Sequence, residues 1–145
     1  MNHCFVEYNH ALDAKRFFHL LKDLRPHLSF EKFNEIYFEA NKANAYKLIG
    51  IEDNDQLVAM MGYRILHDFV HGKHLYIDDL ITSEAVRSKG YGAQLLKHAE
   101  ELAKQNNCTN IRLCTGIENE RGKHFYEKND WNLRAVVYKK KIIKP

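Results

Sequence analysis

The sequence predicts a mixed α/β fold: a mostly antiparallel central sheet with helices on both faces, in the order β-α-α-β-β-β-α-β-α-β. Three observations predict it. Apolar residues recur with a helical period over 12–24, 30–40 and 91–106. Runs rich in β-branched and aromatic residues are bounded by turn residues. These runs follow one another as hairpins in the first half and are separated by helices in the second, the pattern of a mixed sheet covered by helices.

Each element has its own signal. "HCFVEY" (3–8) reads as a short strand. Ala14, Phe17, Phe18, Leu21 and Leu24 share one face of a first helix, which Pro26 stops. Ser29 is placed to cap a second helix bearing Phe30, Phe33, Ile36, Tyr37 and Ala40 on one side. "AYKLIGIE" (45–52) and "QLVAMMGYRIL" (56–66) flank the turn "DND". "HGKH" (71–74) is a second turn, and "LYIDDLIT" (75–82) the next strand. Helix 91–106 aligns Leu95, Leu96, Ala99, Leu102 and Ala103. "NIRLCT" (110–115) reads as a strand and "NERGKHFYEK" (119–128) as a short helix. "LRAVVYKKKI" (133–142) is expected to close the sheet, its lysines protecting an edge.

The bulk numbers narrow the classes. A chain of 145 residues without repeats or linkers reads as one domain, 1–145. Hydrophobic residues at 45% and charged residues at 28% are those of a soluble globular protein. No signal-peptide pattern follows Met1, and no apolar run approaches the roughly 18 residues that span a bilayer. Cys4, Cys108 and Cys114 form no short pair and read as reduced thiols, Cys114 as a small core residue. A cytoplasmic protein is expected. A net charge of +3 is too small to argue for nucleic acid, and no aromatics interleave the basic tail.

The segment "RSKGYG" (87–92) joins a strand to a helix. A helix N-terminus offers unpaired N–H groups and a partial positive charge. Arg87 and Lys89 add full charges, and Gly90 and Gly92 allow positive φ and close approach of a ligand. Such a mouth suits a pyrophosphate. It is no P-loop, for which G-x-x-x-x-G-K-[ST] is absent. Nor is it a dinucleotide loop: Leu95 stands at the third glycine position and the segment follows a hairpin meander.

In that context "RSKGYG" resembles the [Q/R]-x-x-G-x-[G/A] signature of the GNAT superfamily of acetyl-CoA-dependent N-acetyltransferases. The resemblance covers about 75–131, through "NERGKHFYEKNDW" with its N-x6-Y spacing of Asn119 and Tyr126. It implies acetyl-CoA as cosubstrate. The loop amides from Arg87 through Ser88, Lys89, Gly90 and Tyr91 to Gly92 would bind its pyrophosphate. Backbone groups of Leu80, Ile81 and Thr82 would hold pantetheine and the acetyl carbonyl, with Asn119 along the arm. The cleft would open between strands ending at Thr82 and Thr115. Thr82 in place of valine, the missing proline after the strand and Asp130-Trp131 in place of Gly-Phe depart from the pattern.

Acetyl transfer to an amine needs a neutral nucleophile, a stabilised oxyanion and a protonated leaving thiolate. Tyr126 is the candidate acid, a phenol that keeps its proton at neutral pH. Asp78 and Asp79 interrupt an apolar strand in which aspartate is disfavoured. Side chains alternate along a strand, so only one should enter a given cleft unless a bulge re-aims the other. The pair is similar to the acidic pair of diamine acetyltransferases of the superfamily, which favours Asp78 as base or amine anchor. The expected acceptor is a small-molecule or peptide amine, attacked directly in a ternary complex, and a homodimer is implied by the resemblance alone. A non-catalytic acyl-CoA-binding module is the alternative. His67, His71, His74 and Asp68 cluster in "HDFVHGKH" on a hairpin loop, and no metal is assigned to them.

Overall fold

The structure, a computed structural model, describes residues 3–143. Its internal contacts separate two units, one up to Leu113 and one from Cys114 onward. In the first unit five strands form one sheet in the order β1-β2-β3-β4-β5. β1 (His3–Glu7), β2 (Lys47–Asp53), β3 (Gln56–Asp68) and β4 (Gly72–Thr82) pair antiparallel in succession, and β5 (Asn110–Leu113) joins β4 in parallel.

The two faces of the sheet are covered by different helices. α1 (His10–Leu24) starts where the Asn9 side chain accepts from the Ala11 N–H. α2 (Phe30–Asn44) starts where Ser29 Oγ accepts from the Lys32 N–H, and it stops at Ala45, whose backbone turns left-handed at φ 51°. Phe17, Phe18, Leu21 and Phe33 from these helices close a core with Leu48, Met60 and Ile81 of the sheet, and Val6 packs against it. α3 (Tyr91–Gln105) buries Leu95, Leu96, Ala99 and Ala103. Its His98 stacks on Phe5 with ring centroids 4.2 Å apart. Phe5 and Val6 are neighbours in β1 and point to opposite faces, so α3 lies across the sheet from α1 and α2.

The β3–β4 hairpin is tighter than its sequence predicts. The ladder continues to the pair Asp68↔Gly72, so Gly72, Lys73 and His74 belong to β4 and only residues 69–71 turn. β2 begins at Lys47 rather than 45, because Ala45 caps α2 and Tyr46 turns inward.

In the second unit α4 (Glu120–Lys128) is the regular element among the described residues. The expected strand over 133–142 does not form there, which is a correction. A strand needs a ladder partner for its N–H and C=O groups. This segment has none among the described residues, and Leu133, Val136, Val137, Tyr138 and Ile142 are exposed. Lys144 and Pro145, at the end of the lysine-rich tail, lie outside the described residues. Cys114 is also corrected: it is exposed, not a core residue. No described helix is long and apolar enough to cross a membrane.

Candidate active site

β4 changes its register in the middle. Gly62 of β3 faces Asp79, whereas the next residue, Tyr63, faces Ile77. Asp78 is therefore the extra residue of a β-bulge. The bulge cancels the alternation that would send the two carboxylates to opposite faces. Asp78 and Asp79 both line one cavity of about 730 Å³, walled by the end of α1, by α2 and by the sheet. Leu21, Leu24, Phe33 and Ile36 make most of its wall apolar.

The two carboxylates have different partners. Arg64 grips Asp78 from both nitrogens, Nε to Oδ2 and Nη2 to Oδ1, each at 2.8 Å. This bidentate pair engages both oxygens of Asp78 and raises the Arg64 pKa above its ordinary value. Asp79 Oδ2 accepts from the Tyr46 hydroxyl at 2.8 Å. Its Oδ1 accepts only a long 3.3 Å contact from Arg25, whose side chain is 53% exposed. Of the two, Asp79 thus keeps the oxygen that a ligand in the cavity can reach.

Tyr46 is the residue that sequence reasoning missed. It stands at the mouth of β2 and is pushed well above the ordinary phenol pKa, first by burial and then by the Asp79 charge. It stays protonated and donates to Asp79. Gly62 makes room for it: a Cβ at Gly62 would come within 1.7 Å of the Tyr46 hydroxyl oxygen.

Past the bulge, β4 lacks a neighbour on its β5 side. The β4–β5 ladder runs from His74↔Asn110 to Ile77↔Leu113. Leu80, Ile81 and Thr82 have no partner in it. A short 3-10 turn, Glu84–Val86, then leads through Arg87, Ser88 and Lys89 to α3. No side chain caps α3, so the N–H groups opening its first turn at Tyr91 and Gly92 have no capping acceptor. The left-handed backbone falls on Ser88 at φ 84° and Gly90 at φ 82°. Gly92 is an ordinary helical residue, contrary to the expectation that it takes positive φ. Nothing would meet a Cβ at Gly90, so that side of the turn is open. Arg87 and Lys89 are exposed, with Arg87 only loosely paired to Glu84 at 3.4 Å. The Tyr91 ring is buried and its hydroxyl donates to Asp53, which ties the start of α3 to β2. Tyr91 can therefore serve a ligand through its backbone, not its ring.

In the second unit Asn119 caps α4. Its Oδ1 accepts from the Gly122 N–H at 3.0 Å, and its Nδ2 donates to Thr115 Oγ1 at 2.8 Å. Tyr126 lies one face along the helix, against Phe125 and Trp131. Burial raises its phenol pKa.

An uncapped helix mouth, an unpaired strand edge and a carboxylate-floored cavity thus meet along β4 and its exit. The model of the acetyltransferase (GNAT) family matches residues 13–131. The chain belongs to the GNAT acetyltransferase family. Membership makes it an acyltransferase. It is 26% identical over 124 residues to YhdJ of Bacillus subtilis, named an uncharacterized N-acetyltransferase, covering 85% of this chain and 87% of that one. A transcriptional regulator from Bacillus halodurans has a similar fold, with TM-score 0.84, 23% identity and coverage of 97% and 99%. So does the aminoglycoside N-acetyltransferase AAC(6')-Iy, solved in complex with CoA, with TM-score 0.82, 16% identity and coverage of 97% and 95%.

Within this GNAT frame the acidic pair and the glycine turn were visible in sequence as departures from strand and helix composition. Tyr46 and Arg64 gave no such signal, since a tyrosine or an arginine in a strand is ordinary. Only the fold brings them to the carboxylates.

Proposed function

We propose that the protein transfers the acetyl group of acetyl-CoA to the primary amine of a small molecule or peptide, by direct attack in a ternary complex. One catalytic domain then spans the chain; the family match, which runs through both units, supports that reading. The observation that carries the proposal is the bulge at Asp78. It turns two carboxylates into one apolar cavity beside the stretch of β4 that the β4–β5 ladder does not reach.

The residues divide the work. Amides from Arg87 to Gly92, with the charges of Arg87 and Lys89, hold the pyrophosphate of the cosubstrate. Backbone groups of Leu80 to Thr82 bind pantetheine and polarise the thioester carbonyl. Asp79, in place of the Asp78 that the resemblance favours, anchors the incoming ammonium and takes its proton, directly or through water, while Asp78, with both oxygens held by Arg64, fixes the bulge. The amine nitrogen bonds to the carbonyl carbon, and the C–S bond breaks as the intermediate collapses. Tyr126 gives its proton to the departing thiolate and takes back the surplus proton of the acylated nitrogen; the motif spacing supports that role, and burial keeps the phenol protonated beforehand. Asn119 serves chiefly by shaping the start of α4, since its side chain is engaged there. The apolar walls favour an acceptor with an aliphatic or aromatic body behind its amine. We read the protein as a cytoplasmic homodimer, on a cysteine spacing that holds no short C-x-x-C pair and on the family resemblance.

Titration calorimetry with acetyl-CoA, followed by an amine panel with thiol-release detection, tests the reading. Saturable binding and turnover of an amine with an apolar body are expected. Binding without turnover of any amine would make this a non-catalytic acyl-CoA-binding module. No binding at millimolar acetyl-CoA would overturn both.

A further inference from the structure

The tip of the β3–β4 hairpin carries a feature that acetyl transfer does not use. His74 is 1% exposed, and its Nε2 is buried with no hydrogen-bond partner. Its Nδ1 lies 2.9 Å from the Gly72 carbonyl oxygen. A carbonyl only accepts, so Nδ1 carries a proton, and Nε2 is the nitrogen that holds a lone pair whenever the ring is neutral. That lone pair faces Asp68 Oδ2 at 3.8 Å. A second donor, His71 Nδ1, lies 3.1 Å from the same oxygen. The three ligand atoms lie within 4.8 Å of one another. His74 is buried and Asp68 is exposed, and two acceptors that face each other repel unless a cation or a proton lies between them.

We infer that Asp68, His71 and His74 form a binding site for a divalent transition metal of the zinc type. Zinc bonds imidazole nitrogen and carboxylate oxygen at about 2.0–2.2 Å, which sets neighbouring ligand atoms of a tetrahedron roughly 3.3 Å apart. The separations of 3.1 and 3.8 Å bracket that edge. Two imidazoles and one carboxylate are a ligand set for zinc rather than for calcium or magnesium, which prefer oxygen alone. The supporting bonds are also in place. Gly72 fixes the His74 tautomer. Asp68 Oδ1 accepts from the His71 N–H at 2.6 Å, which orients the carboxylate, and His71 Nδ1 lies 3.1 Å from each of its oxygens. Thr109 and Asn110, at the start of β5, donate to the His71 carbonyl at 3.1 and 3.3 Å. Arg112 stands 3.7 Å from Asp68 Oδ2 and leans over the Tyr76 ring. It offsets part of the carboxylate charge without blocking the oxygen.

The site joins the end of β3, the turn and the start of β4. His74 and Thr82 are eight residues apart on β4, roughly 26 Å along the strand. A metal there clamps the hairpin and the entry to β5; it does not reach the reacting atoms.

Calorimetry on the intact chain with zinc chloride, at neutral pH after chelator treatment, reads the site directly. One zinc per chain is expected, with a rise in melting temperature. Cobalt in place of zinc is expected to give the visible absorption of a four-coordinate site without a thiolate charge-transfer band. His71→Ala and Asp68→Asn alter exposed or half-buried side chains, so they should fold, as far-UV circular dichroism checks. Each is expected to weaken zinc binding at least about a hundredfold and to remove the thermal shift. No zinc binding by the unmodified chain, undiminished binding by both variants, or a thiolate band from Cys4, Cys108 or Cys114 would each overturn the inference.

Discussion

Asp78 and Asp79 are adjacent and chemically identical, yet their surroundings give them different tasks. Both oxygens of Asp78 are held by Arg64, and both groups are about three-quarters covered. Asp78→Asn leaves that guanidinium with one weakened acceptor, and a loss of about 1–2 kcal/mol in urea-melt stability is expected. Asp79→Asn should act on chemistry instead. With its amine anchor neutralised, kcat/KM for the acceptor is expected to fall about 10²- to 10⁴-fold while acetyl-CoA affinity stays within about threefold. Equal effects of the two substitutions on turnover would refute the division. Gly62→Ala tests the third member. Its Cβ would sit 1.7 Å from the Tyr46 oxygen and 2.5 Å from Cζ, so the ring must leave Asp79. A destabilisation of about 1–3 kcal/mol is expected, read from the denaturant midpoint, together with loss of the raised Tyr46 phenol pKa in an alkaline absorbance titration.

Among elements, the glycine turn and α3 act as one unit. Gly90→Val forces a β-branched residue to φ 82°, which costs about 1–2 kcal/mol and shifts the amides of the first turn. At least a tenfold loss of acetyl-CoA affinity is expected by calorimetry, and unchanged affinity would remove the turn from the pyrophosphate site. What was legible in sequence follows the range of the interactions. α1, α2 and α3 repeat an apolar residue every turn, and Ser29 is a local cap, so neighbours in sequence decide them. The acidic pair was visible because aspartate is out of place in a strand. That both carboxylates share one cavity was not visible, because the bulge arises from pairing with Gly62 of another strand. The start of β2 was misread because Tyr46 obeys a distant partner, Asp79, rather than its own β propensity. The segment 133–142 has strand propensity but no ladder, and propensity alone does not satisfy backbone groups.

For the molecule as a whole, the tyrosines set the response to alkali. Tyr8, Tyr37, Tyr46, Tyr63 and Tyr126 all have raised phenol pKa values, in each case chiefly through burial. In the unfolded chain each ionises near pH 10. Below that pH both states hold the phenol protons, and the tyrosines contribute no slope. Above it the unfolded state releases protons that the folded state keeps, so stability falls as pH rises. Tyr46 is the clearest case, since its hydroxyl donates to Asp79 and the carboxylate charge opposes its ionisation. Each fully protected tyrosine adds a slope of up to about 1.4 kcal/mol per pH unit above pH 10. Urea melts of the intact chain are expected to give stability with no tyrosine-linked slope between about pH 8 and 9.5 and a steep decline from about pH 10. Tyr46→Phe has no proton to release in either state, so its decline should be shallower by about 1.4 kcal/mol per pH unit. Identical alkaline slopes for the two proteins would mean that Tyr46 ionises as readily in the fold as out of it, and the hydrogen bond that orients Asp79 would have to be abandoned.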